Sequence, residues 1–124
     1  MNRLKVMIVD DSTLAIRKMK DIVTELGHTV VTTVSTGTDA IEHYRTYLPD
    51  LVTMDITMPN MDGIEATHNI MAEHHDARII MVTSHGQEES VRQAIKAGAS
   101  GYVIKPVVPE RMAELIDQLF FGGL

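Results

Sequence analysis

The chain has 124 residues, no cysteine and a formal net charge of −6. That length suits one domain, burying roughly two-thirds of its unfolded surface without covalent staples, and the missing cysteine excludes disulfides, thiolate nucleophiles, zinc fingers and iron–sulfur clusters. The acidic balance argues against sequence-independent nucleic-acid binding, which depends on a basic surface.

Taken in order, the first apolar run, Leu4–Val9, reads as a strand and ends in Asp10-Asp11. It is too short for a signal-peptide core, and no later run approaches a membrane span. A cytoplasmic protein is therefore expected. A helix follows, with Ile16, Met19, Ile22, Val23 and Leu26 at helical spacing, Ser12 placed to cap its start and Gly27 to stop it. The second strand, Thr29–Val34, ends without an ionisable group, and Ala40, Ile41, Tyr44 and Leu48 suggest the second helix. The third strand, Leu51–Met54, delivers Asp55; a loop through Pro59 and Asp62-Gly63 then leads to a helix carrying Ile64, Ile70 and Met71. Arg78–Val82 forms the fourth strand, ending in Thr83-Ser84. Its helix has only the narrow stripe of Val91, Ala94, Ile95 and Gly98, and is expected to be the most weakly anchored. The fifth strand, Gly101–Ile104, ends in Lys105-Pro106, and Pro109 opens a last helix with Met112, Leu115, Ile116 and Leu119 as its apolar stripe.

The strands are mostly continuous in Val, Ile and Met, the pattern of a sheet covered on both faces. The gaps suit helical crossovers rather than hairpins, so the chain reads as five β–α units in a parallel sheet. The expected class is α/β, a single doubly wound sheet of five strands with five helices, occupying residues 1–124 as one domain.

Chemistry collects at the carboxyl ends of these strands, where ligands of open α/β sheets bind. If the strand order is 2-1-3-4-5, strands one and three flank the switch point and Asp10, Asp11 and Asp55 would meet there, with Thr83 and Lys105 on the far side. Three adjacent carboxylates raise each other's pKa. One lysine leaves an excess of negative charge that a divalent cation balances, and oxygen-only ligands favour Mg²⁺. Thr83 and Lys105 can hold a phosphoryl group, and a facing carboxylate is a covalent acceptor of known type.

Singly, each residue has an ordinary reading. Asp10-Asp11 could decorate a helix N-terminus, Asp55 could open a turn, Thr83-Ser84 could cap the fourth helix, Lys105 could be a solvated strand end, and Tyr102 could be half-buried with a wet hydroxyl. Jointly those readings are outweighed. His68, His74 and His75 read as a solvated surface rather than a transition-metal site, and the nine methionines as gap-filling core residues.

Four fragments, VDDS at 9 to 12, MDITMPNMDG at 54 to 63, VTSHGQ at 82 to 87 and GASGYVIKP at 98 to 106, resemble the receiver domain of two-component response regulators, in particular the stand-alone chemotaxis (CheY-like) type. The resemblance covers essentially the whole chain. It implies a flavodoxin-like fold with strand order 2-1-3-4-5, an order known for this family and not read from the pattern. It implies Asp55 as phosphoacceptor from a sensor histidine kinase. Asp10 and Asp11, with Asp55 and the backbone carbonyl of Thr57, would hold Mg²⁺, Asp11 directly and Asp10 more often through water. Thr83 would move to the phosphoryl group, Lys105, whose bond to Pro106 is usually cis in this family, would pair with it, and Tyr102 would turn inward as the switch aromatic. Gly63 would let the loop after Asp55 turn into the third helix.

In that family the positions two residues after the phosphoacceptor and the hydroxyl residue, here Thr57 and His85, border the path of the hydrolytic water. A titrating His85 would give dephosphorylation a pH profile between about pH 5.5 and 8, and a flat profile would remove that role.

The output expected from the resemblance is a protein target on the face of the fourth helix, fifth strand and fifth helix, such as a flagellar motor switch. The protein would act as a monomer, without direct nucleic-acid or membrane contact, and not as an enzyme beyond assisting its own phosphorylation and dephosphorylation. The alternatives are a receiver excised from a larger DNA-binding regulator, or a phosphorelay intermediate; the glycine-rich ending without a linker mildly favours a complete protein. An enzyme on this fold has less support. Asp10-Asp11 would repel a flavodoxin-type phosphate, no aspartate stands two residues beyond Asp10 or Asp55 as in haloacid-dehalogenase-like phosphatases, and no GxxxxGK(S/T) or GxGxxG occurs.

Overall fold

The computed structural model describes residues 3–122, so Met1, Asn2 and the final Gly123-Leu124 lie outside it. Five strands and five helices alternate. The strands are β1 (Lys5–Val9), β2 (Thr29–Val34), β3 (Leu51–Asp55), β4 (Ile79–Thr83) and β5 (Gly101–Ile104). The helices are α1 (Thr13–Glu25), α2 (Gly37–Tyr47), α3 (Gly63–Glu73), α4 (Glu88–Lys96) and α5 (Pro109–Phe120). All neighbouring strands are parallel, in the order β2-β1-β3-β4-β5.

The continuous apolar runs are explained by two cores. Met7, Val9, Val52, Met54, Ile79 and Met81 pack on one face with Ala40, Tyr44, Ala66, Ile70 and Ala94 from α2, α3 and α4. The alternate residues Val6, Ile8, Leu51, Ile80 and Val82 pack on the other face with Met19, Val23, Met112, Leu115 and Ile116 from α1 and α5. A strand fed to two cores has no polar face, so its period of two vanishes from the sequence. Each fully buried Ile or Met contributes roughly 1.5–3 kcal/mol.

The helix signals act as expected at several ends. Ser12 Oγ accepts from the Ala15 N–H at 3.2 Å, and Gly27, at φ +94°, carries the chain out of α1. Pro109 is the first residue of α5. Four boundaries differ. β3 and β4 each run one residue further than their apolar runs, because the ladder continues: Asp55 pairs with Val82 and Thr83 with Ile104. β4 begins at Ile79 instead of Arg78, and β1 at Lys5 instead of Leu4. Leu48 is not on the buried stripe of α2; it is the left-handed C-cap at φ 45° and lies 55% exposed. In α4 only Ala94 is buried and Ile95 faces solvent, so this helix has the thinnest anchor of the five. No helix among the described residues is long and apolar enough to cross a membrane.

Candidate functional site

The site forms where β1, β3, β4 and β5 end. The Asp10 N–H donates to Val34 O at 3.1 Å, holding the chain against β2 as it leaves β1. The Asp10 side chain is buried with both oxygens engaged: Oδ1 accepts the Ser12 N–H at 3.0 Å, and Oδ2 lies 3.2 Å from Lys105 Nζ. Asp11 is exposed, and no ion pair to it occurs among the described residues. Asp55 is 6% exposed, with Oδ1 3.7 Å from the same Lys105 Nζ. One carboxylate oxygen from each of Asp10, Asp11 and Asp55 lies within 4.8 Å of the others.

That geometry leaves negative charge in excess. Burial and the neighbouring Asp10 push the Asp55 carboxyl up from 3.8 to about 6, with Asp11 adding to the rise; Lys105 and the Thr57 N–H oppose it. The donor set is all oxygen, one member is solvent-facing, and a cation would relieve the repulsion that raises the Asp55 pKa. The residues present therefore fit a hard divalent ion such as Mg²⁺, which keeps waters and takes few protein ligands.

The loop that closes the site folds tightly behind Asp55. Ile56 donates its N–H to Val82 O at 3.1 Å, and Gly63 donates to Ile56 O at 2.8 Å. Thr83 ends β4 beside Asp55, buried, and its carbonyl accepts the Lys105 N–H at 2.7 Å. The Lys105–Pro106 peptide bond is cis. Tyr102 is 41% exposed, at the rim of an open cleft of about 370 Å³ that Thr83, His85, Gln87 and Ile104 also line. His85 itself is exposed.

Gln87 is a site residue that sequence reasoning missed. Its Oε1 accepts from the Thr83 hydroxyl at 2.8 Å and from the Ser84 N–H at 2.9 Å, and its Nε2 donates to Thr57 Oγ1 at 3.2 Å. A glutamine opening a helix reads as solvated, and only its place four residues after Thr83 hinted otherwise. The structure thus gathers Asp10, Asp11, Asp55 and Lys105 into one cluster and sets Thr83 and Thr57 at its edge, joined by Gln87. Tyr102 stands apart, across the cleft.

Residues 6–117 match the response regulator receiver domain family, and the chain belongs to it. It is 42% identical to the chemotaxis protein CheY of Thermotoga maritima over 115 residues, covering 93% of this chain and 96% of that one. It is 43% identical to CheY of Bacillus subtilis over 114 residues, covering 92% and 95%. Among solved structures it resembles the protein in the CheX–CheY–BeF3–Mg²⁺ complex of Borrelia burgdorferi, with a TM-score of 0.88 and 34% identity, covering 94% of this chain and 88% of that one.

Proposed function

We propose that this receiver is a phosphorylation-activated switch of chemotaxis or flagellar motor control, with Asp55 as its phosphoacceptor. The observation that carries the reading is the pairing of a buried, charge-crowded Asp55 with Lys105 and two further carboxylates at the strand ends. Names of relatives support the pathway, and the Mg²⁺ and BeF3 of the Borrelia burgdorferi complex support the ligand class.

With its pKa near 6, Asp55 is mostly ionised at neutral pH and available as a nucleophile. A carboxylate oxygen attacks phosphorus, the P–N bond to the kinase phosphohistidine breaks, and its electron pair leaves on the imidazole nitrogen. Asp10, Asp11, Asp55 and the Thr57 carbonyl would hold Mg²⁺, which supplies Lewis-acid neutralisation of phosphoryl charge when bound. Lys105 exchanges part of its pairing with Asp10 for a phosphoryl oxygen. Thr83 turns its hydroxyl to another, and Tyr102 fills the cleft that Thr83 and its neighbours line. The weakly anchored α4 then adjusts with β5 and α5, presenting the altered face to a protein target. The protein acts as a cytoplasmic monomer without nucleic acid.

Intact mass, taken within minutes of mixing with Mg²⁺ and phosphoramidate, tests the chemistry. One added phosphoryl group is expected, absent from Asp55→Ala and from a metal-free sample; an unmodified wild-type protein that also fails to bind Mg²⁺ would remove the reading. Tyr102→Ala is expected to keep the mass increment while losing the phosphorylation-induced shifts of amide signals in α4 and α5. Undiminished shifts would take Tyr102 out of the switch.

A further inference from the structure

The mechanism above asks Thr83 to donate its hydroxyl to a phosphoryl oxygen, yet that proton is already committed. A hydroxyl has one hydrogen to give, and of the two acceptors in reach, Ser84 O at 3.4 Å and Gln87 Oε1 at 2.8 Å, the much nearer amide oxygen takes it. The same amide is tied down at two further points, the Ser84 N–H and Thr57 Oγ1. Gln87 occupies the N-cap position of α4, but its side chain makes no capping bond there. It instead spans from the exit of β4 to the loop after Asp55, 30 residues away in sequence.

We propose that Gln87 is a positioning residue that latches Thr83 in the resting orientation, so that the cost of releasing this amide sets the threshold for the switch. The inference rests on the phosphoacceptor reading of Asp55. It follows from counting donors: engagement of the phosphoryl group and retention of the Gln87 bond are mutually exclusive for Thr83. Thr57 contributes through its side chain as the far anchor of the latch, so the residue two beyond the phosphoacceptor stabilises the resting state without touching phosphate. Breaking the latch leaves the Gln87 amide at the cleft edge, where water can replace its lost partner, so the threshold is that of an ordinary neutral hydrogen bond.

The test is a titration with beryllofluoride in saturating Mg²⁺, read by amide NMR, on the full chain. Gln87→Ala and Gln87→Met, the second keeping the side-chain length, are expected to bind beryllofluoride roughly two- to tenfold more tightly than wild type, the worth of one such bond. Thr57→Val is expected to shift in the same direction by less. In a Thr83→Ala background the Gln87 substitutions are expected to change nothing, because the latch has nothing to hold; a purely structural role for Gln87 would show equally in both backgrounds. Equal effects in both backgrounds, or weaker binding by both Gln87 variants, would overturn the latch while leaving the phosphoacceptor reading intact. Wild-type protein that binds no beryllofluoride, or binds it equally well as Asp55→Ala, would overturn both.

Discussion

Replacing Asp55 with Asn is expected to stabilise the metal-free protein at neutral pH by about 1–3 kcal/mol, while abolishing phosphorylation. The wild-type carboxyl is held near 6 in the folded state against an ordinary value of 3.8. Between those values the folded chain binds more protons than the unfolded one, so stability falls as pH rises from about 4 to about 6 and stays reduced above. Asn carries no charge to bury beside Asp10 and removes that slope. The gain is less than the full shift, because Lys105, 3.7 Å away, loses one of its two partners. Urea unfolding in EDTA at about pH 4 and at neutral pH checks the sign: the two proteins should nearly coincide in acid and separate above pH 6. A variant no more stable than wild type at neutral pH would refute the crowding. Adding Mg²⁺ should narrow the gap, because a cation bound only by the folded state stabilises it by mass action, and the wild type offers it one carboxylate more.

Gly63→Ala is expected to cost about 3 kcal/mol or more, lowering the melting temperature by about 10 °C. A Cβ at this position would stand 2.1 Å from the Asp55 carbonyl oxygen, 2.9 Å from its carbonyl carbon and 3.0 Å from Ile56 Cα. All three are backbone atoms that cannot rotate away, so the end of β3 or the start of α3 must move. The Gly63 N–H bond to Ile56 O holds the two together, so the shift reaches Asp55. Phosphorylation by phosphoramidate should therefore slow even at temperatures where the variant is fully folded. Gly27→Ala is the control: its φ is +94° but nothing lies within 4 Å, so only the left-handed backbone is penalised, at about 1 kcal/mol. Gly63 is not among the left-handed glycines, so a loss there no larger than at Gly27 would show that a small backbone shift relieves the close approach.

These two glycines mark where local reading ends. Gly27 was legible as a helix stop, because a glycine after the last apolar position of a periodic stretch signals the left-handed turn that ends it. Gly63 was legible only as a turn residue; its contact with the Asp55 carbonyl exists because α3 starts against the end of β3. Asp55 and Thr83 were legible as polar residues after apolar runs, and the structure shows both paired inside the sheet, since their ladder partners lie on other strands. Leu48 fitted a helical stripe by spacing alone, but the chain turns left-handed there and leaves it exposed.

By itself the sequence determined the five β–α units, the weak anchoring of α4 and the residues that would stand at the strand ends, because apolar run, helical spacing, cap and stop are properties of neighbouring residues. The motifs added the family, and through it the strand order. Only the tertiary structure decided that both Asp10 oxygens already have partners while Asp11 faces solvent, that the Asp55 carboxyl is pushed up to about 6, and that Gln87 reaches from Thr83 to Thr57. Those features depend on distances between groups brought together by parallel strand pairing across crossovers, and no local period in a chain encodes such distances.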